Sequence, residues 1–327
     1  MNQLEQRLLN DFQRGFPLCA EPFAEIARRC DAAATEVISA YRRLAARGAV
    51  SRIGGVFAPN CIGASTLAAM RVPDGRVAEV ARRVSAHPEV NHNYEREHLW
   101  NLWFVATAPD EARLAAALTA IEQECGIAVM RLPLEEDFHI DLGFDLLDGT
   151  VPARGARAPA RRLVLGARER ALVGALQPGL TIVARPYAEL AARAGMTQDA
   201  TIAQIGRWLE AGAIKRFGVV VRHHELGFGA NAMVVFDVPD PEVGRVGRDL
   251  AAEKDVTLCY RRPRMLPEWP YNLFCMVHGR SRDAVLAQLA ALRERCGLGA
   301  YAQEILFSAR RFKQRGARYV EEAAAHG

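Results

Sequence analysis

The chain has 327 residues, 50% of them hydrophobic, 24% charged and 7% aromatic, so it can bury sizeable cores and is not a disordered protein. No apolar run approaches the roughly 18 residues of a membrane span, and acidic residues interrupt the opening MNQLEQRLLNDFQRGFPL where an export signal would be apolar. Seven cysteines without a CxxC pair fit neither a disulfide scaffold nor a zinc knuckle, so the expectation is a soluble cytoplasmic protein. The net charge of +4 conceals an imbalance: residues 1–149 hold 15 basic and 21 acidic side chains, the remainder 27 basic and 17 acidic. A basic second part can attract a polyanion, whether nucleic acid or a smaller ligand.

In chain order, the pattern predicts helices over 3–12, 22–30 and 35–47, the second opened by Pro22 and the third stopped by Gly48. A β-branched stretch follows over 50–57. Helix, turn, helix and wing describe a winged helix-turn-helix. Next come a strand over 65–72, a helix over 75–86, strands over 89–97 and 99–106, a helix over 110–125 and a strand over 127–134. That order, βαββαβ, is the ferredoxin-like split unit. Residues 148–166, rich in Pro, Gly and Arg, read as a linker.

The same series then repeats. Pro22, Glu25, Gly48 and Arg52 align without a gap with Pro186, Glu189, Gly212 and Arg216, and Tyr94 and Arg96 align with Tyr260 and Arg262. Asn101 answers Asn272 after a short insertion, and Cys125-Gly126 answers Cys296-Gly297. The predicted fold is therefore α+β and tandemly duplicated: winged helices at 1–60 and 167–224, ferredoxin-like domains at 61–147 and 225–327. Two homologous halves in one chain point to an internal pseudo-dimer.

A winged helix followed by this ligand domain resembles the Lrp/AsnC transcription regulators, best in the stretch from Glu189 to Arg216. The two hairpin strings VNHNYEREHLWNLWFV, from Val90, and VTLCYRRPRMLPEWPYNLFCMVHG, from Val256, are similar to the paired signatures of siroheme decarboxylases. That resemblance implies removal of two acetate carboxyls from siroheme, giving 12,18-didecarboxysiroheme for haem d1 or for haem. It implies a polyanionic tetrapyrrole partner whose iron is substrate rather than cofactor, and no further cofactor. Other enzymes of tetrapyrrole synthesis and further self-association are partners to expect.

Side chains alternate along a strand, so His92, Tyr94, Arg96 and His98 are expected on one face. His92 and His98 are the candidate catalytic groups, as proton donors or as ligands of the substrate iron. Candidate substrate-binding residues are Tyr94, Arg96, Asn101 and Trp103 in the first half, and Tyr260, Arg262, Arg264, Tyr271, Asn272 and His278 in the second. Arginine forks suit carboxylates, and aromatic rings suit a flat macrocycle. The matching face of the second half has Leu258, Tyr260, Arg262 and Arg264, without histidine, so proton transfer or iron ligation is expected in the first half. Plainer readings stand beside these. Trp103 is by periodicity a strand residue packed on helices, and Arg264 lies between prolines in a loop. His223-His224 reads as surface and His326 as a loose terminus.

Two other functions fit the same elements: a regulator that binds DNA, or a tetrapyrrole sensor without catalysis. Glu36 stands near the start of the first recognition helix and Asp199 near the start of the second, where base contacts would be made, so DNA binding is not expected.

Overall fold

The structure is a computed structural model that describes residues 1–140, 162–221 and 230–320. Most of the predicted linker, together with His223, His224 and His326, lies outside the described residues. In chain order the first half forms α1 (Gln3–Asn10), α2 (Pro22–Cys30), α3 (Ala34–Ala46), β1 (Val50–Phe57), β2 (Ala64–Met70), α4 (Val77–Ala86), β3 (Val90–Arg96), β4 (Leu102–Ala108), α5 (Glu111–Cys125), β5 (Val129–Pro133) and β6 (Glu136–Ile140). The second half forms α6 (Ala167–Leu176), α7 (Pro186–Ala194), α8 (Gln198–Glu210), β7 (Ile214–Val221), β8 (Ala230–Asp237), α9 (Asp240–Ala252), β9 (Val256–Arg261), β10 (Leu273–Gly279), α10 (Arg282–Arg295) and β11 (Ala302–Gln314). Among the described residues, no helix is long and apolar enough to cross a membrane.

The elements sort into two compact units, each drawing on both halves. One holds both helix-turn-helix segments. Its wings, β1 and β7, pair antiparallel, and its core includes the fully buried Phe23, Tyr41 and Tyr187. Gly218 lies so close to the backbone of Phe12 and Gln13 that a side chain there would overlap it, and the adjoining Val219 amide donates to Phe12 O at 2.8 Å.

The other unit is a nine-stranded sheet in the order β5-β2-β4-β3-β11-β8-β10-β9-β6. Its two outermost strands follow one another in the chain, joined by Leu134 and Glu135, so the sheet curls until its ends meet. Helices α4 and α5 cover the outside of the first-half strands over a core that includes Val80, Phe104 and Ile121. Helices α9 and α10 cover the second-half strands over Val246, Phe236 and Leu289. A third cluster fills the inside with Trp103, Met130, Tyr260, Trp269, Phe274 and Leu306, side chains from both halves.

The halves exchange strands. Along β11, Ala302–Phe307 pairs with β8 of its own half, and its continuation from Ser308 to Gln314 pairs with β3 of the other. In return, β6 leaves the first half to pair with β9. Both ends are anchored: Lys313 donates to the carbonyls of Ser85 and His87 at the end of α4, and the Phe138 ring of β6 packs on Gly247 of α9. Alternation within each half does not reveal this exchange. The predicted single strand over 127–134 becomes β5, a break after Pro133, and β6.

A Cβ on Gly247 would overlap the Phe138 ring. The Gly247→Ala variant should lose about 1–3 kcal/mol in urea unfolding, the usual cost of overpacking. Combined with Phe138→Ala, the two costs should be well short of additive.

Candidate functional site

Strand β3 carries the chemistry-bearing side chains. Asn93 points outward to the helices, where its Nδ2 donates to Ala81 O and Ser85 Oγ at 3.0 Å each. Alternation therefore turns His92, Tyr94 and Arg96 to the inside of the curled sheet. The rings of His92 and Tyr94 stack with centroids 6.4 Å apart and planes 14° apart. The Arg96 guanidinium lies 6.0 Å from the Tyr94 ring centroid. Its Nη1 donates to Leu306 O at 2.9 Å, and its Nη2 is 3.9 Å from Met276 Sδ. No carboxylate among the described residues pairs with it. Burial pulls its pKa down to about 10, so at neutral pH it remains a buried cation without a counter-ion.

The register carries this inner face across three more strands. Opposite Tyr94 and His92 on β11 stand Arg311 and Gln314, and opposite Arg96 stands Ser308. Ser308 Oγ donates to Asn231 Oδ1 on β8 at 2.6 Å, and Asn231 pairs with His278 on β10. Arg96 is buried and Arg311 exposed, while the others are half-buried. The result is a polar basin with an apolar interior beside it.

His278 is held neutral there. Its Nδ1 lies 3.0 Å from Thr257 Oγ1, whose single proton is donated to Met276 O at 3.2 Å. The imidazole hydrogen therefore sits on Nδ1. Burial, with the charge of Arg96 added, pushes the pKa of His278 down to about 4. Tyr94 is shifted upward by burial, against the opposing pull of Arg96 and Arg311. Cations, a phenol and a neutral imidazole on one face can hold an anion, ligate a metal carried by a ligand, or relay a proton.

Several expected site residues lie outside this basin and have local partners, for identifiable reasons. Strand β3 ends at Arg96, so alternation stops before His98. His98 lies in the turn, where its Nδ1 accepts from the Trp100 amide at 3.0 Å and its ring meets Trp269 edge-on at 5.7 Å. Burial lowers its pKa, partly countered by Glu304. His92 and Arg96 are already roughly 13 Å apart along the strand, with His98 farther on, so the two histidines do not form one pair. Asn101 precedes β4 and exchanges hydrogen bonds with the Val72 backbone, its Oδ1 accepting at 3.0 Å and its Nδ2 donating at 2.8 Å. Asn272 does the same with Val238, at 3.0 and 2.9 Å. Arg264 lies past the end of β9 and is paired with Asp237 at 2.7 Å and Asp240 at 2.9 Å. These three hold turns.

Trp103 and Tyr260 are sealed in the inner cluster with Trp269, so neither offers a face to a macrocycle. Arg262 donates to Leu132 O and lies 4.6 Å from the Tyr260 ring centroid. Tyr271 packs edge-on against Trp269 at 5.0 Å, and its pKa is raised by burial and then by Glu304. Of the twelve expected residues, His92, Tyr94, Arg96 and His278 share the basin. Ser308, Arg311, Gln314 and Asn231 join them without having been expected, because the pairing of β11 with β3 is long-range. Lys313, aligned in the sequence with His139, was the nearest signal.

The chain is similar to known proteins along its whole length. Residues 62–139 and 225–313 match the AsnC-like ligand binding domain, and residues 5–50 and 169–214 match the siroheme decarboxylase NirDL-like HTH domain. The siroheme decarboxylase NirDL subunit of Paracoccus denitrificans is 46% identical over 324 residues, covering 99% of both chains. The siroheme decarboxylase of Hydrogenobacter thermophilus is 30% identical over 327 residues, covering 97% of this chain and 95% of its own. A crystal structure of the siroheme decarboxylase NirDL in co-complex with an iron-uroporphyrin III analogue superposes with a TM-score of 0.70 at 27% identity, covering 98% of this chain and 96% of that one.

An imidazole with its pKa lowered from 6.5 to about 4 leaves the unfolded chain binding more protons between those values. Stability is therefore full above pH 6.5 and is lost as pH falls toward 4. By pH 5 His278 should cost on the order of 1–2 kcal/mol. Thermal melts of the His278→Asn variant should show a flatter decline between pH 7 and 5 than the parent. Equal slopes would place the proton elsewhere.

Proposed function

The chain belongs to the siroheme decarboxylases, and from that premise we propose that the basin on β3, β11, β8 and β10 binds siroheme and removes two of its acetate carboxyls. The product would be 12,18-didecarboxysiroheme, a precursor of haem d1 or haem. The observation that carries the reading is Arg96, a buried guanidinium without a carboxylate partner among the described residues, beside Tyr94, His92 and the neutral His278. An uncompensated buried cation is costly, and a polyanionic ligand offsets that cost on binding.

The reaction replaces each carboxylate by a proton. The electron pair of the breaking C–C bond enters the protonated macrocycle as CO2 leaves; the methylene carbon then takes a proton to complete a methyl group while the ring gives up its own, so one proton is consumed per carboxylate. No net oxidation occurs, and the iron arrives with the substrate, so no separate cofactor is required. His92 is the proton donor at one end of β3. His98, at the other end, serves a carboxyl reaching the Trp269 side. Substrate carboxylates favour imidazolium, against the burial that lowers the pKa of His98. His278, with Nδ1 donating to Thr257, suits iron ligation or carboxylate orientation better than proton donation.

DNA binding is not part of this reading. The basic groups late in α3 serve the fold: Arg42 donates to Ile182 O at 2.9 and 3.1 Å, and Arg47 pairs with the buried Glu5 at 2.9 Å. We place the protein in the cytoplasm, a reducing compartment that suits its free cysteines.

The test is anaerobic incubation with siroheme, followed by mass analysis for two successive losses of CO2. His92→Ala and His98→Ala should each lower kcat by about 10² or more, the usual contribution of a placed proton donor. Arg96→Ala should act chiefly on KM. Full decarboxylation by the double histidine variant would overturn these assignments, and binding without loss of CO2 would leave a tetrapyrrole sensor.

A further inference from the structure

We propose that Arg311, on the stretch of β11 that the second half lends to the first, binds a peripheral carboxylate of the substrate and makes this basin the one substrate site of the pseudo-dimer. The inference rests on the siroheme decarboxylase reading and extends it to a residue and a stoichiometry.

The backbone aims Arg311 inward. Strict alternation from Ser308 would put Arg310 and Phe312 inside and Arg311 outside. Two register irregularities, between Ser308 and Arg310 and between Arg311 and Lys313, reverse this. Arg310 then faces Glu95 and Phe312 packs on the outer core, while Arg311 stands opposite Tyr94. Bulges are a common means of re-aiming a side chain beside a functional site. Arg311 Nη1 donates to Gln314 Oε1 at 3.2 Å, which holds the exposed guanidinium at the rim next to His92. Both cations flank Tyr94: the Arg96 guanidinium lies 6.0 Å from its ring centroid, and Arg311 stands opposite it across the strand pair. Two guanidinium groups at different depths, one buried and one at the rim, match carboxylates around the edge of a flat ligand.

The duplication supplies its own control. Asp137 stands opposite Tyr260 as Arg311 stands opposite Tyr94. Leu258 occupies the position of His92, and Thr107 that of His278. Tyr260 and Arg262 are both buried, sealed against Phe274 and the Leu132 carbonyl. The second face thus has an acid where the first has a base, and lacks both imidazoles. A polyanion would meet repulsion there.

The test is an anaerobic absorbance titration of the full chain with siroheme, with turnover measured on the same preparations. The parent should bind one equivalent. Arg311→Asp should weaken binding at least tenfold and flatten its salt dependence, Arg311→Gln should weaken it in the same direction, and Arg311→Lys should stay within about threefold. Asp137→Asn should bind as the parent does. Melting temperatures will show that the variants are folded, as expected for an exposed residue. Two equivalents bound by the parent, or parental affinity in Arg311→Asp, would overturn the inference. If the parent neither binds siroheme nor releases CO2, the functional reading itself falls. Parental turnover combined with unaltered Arg311→Asp binding would sink the role of Arg311 alone.

Discussion

The structure depends on backbone pairing across the two halves. Seven residues at the end of β11 complete the edge of β3, and β6 does the same for β9. Without those ladders each half would present a bare strand edge, with unpaired amides and carbonyls along it. Once they form, the sheet curls and encloses a single interior filled from both repeats. The functional face is a by-product of that closure: β3 supplies imidazole, phenol and guanidinium, and the borrowed strand supplies the wall beside them.

Burial and charge then work against each other in a controlled way. The interior is dry enough to hold His278 neutral and to lower even the pKa of Arg96, yet Arg96 keeps its proton. Such a site is poorly satisfied when empty. It gains most from a ligand that brings several negative charges on a rigid apolar plate, because the plate excludes water and the charges meet the buried cation.

Much of this could be read in the amino-acid sequence, and the failures have physical causes. The duplication was visible because turn glycines, prolines and hairpin tyrosines recur at matching spacings. Period-two alternation correctly put His92, Tyr94 and Arg96 on one face, because β3 is regular over that length. It failed at His98, Asn101 and Arg264, each just past a strand end, where the backbone turns and the side chain finds a local partner. It had no means of finding Arg311, Gln314 or Asn231. Those neighbours are created by pairing between residues some 200 positions apart and by irregularities in β11 that no local pattern encodes.

Duplication lets the two repeats differ. A homodimer must carry every substitution twice, so a change that closes one face closes both. Here one repeat carries His92 beside Tyr94 and Arg96, while in the other Leu258 stands in its place and Tyr260 and Arg262 are buried. The order of synthesis adds a last consequence. Arg96 leaves the ribosome 210 residues before Leu306, the carbonyl it docks against. At typical elongation speeds, that is a wait of roughly 10–40 s. Throughout that interval β3 is an uncapped, adhesive edge. A wait of that length exposes the edge to pairing with other chains.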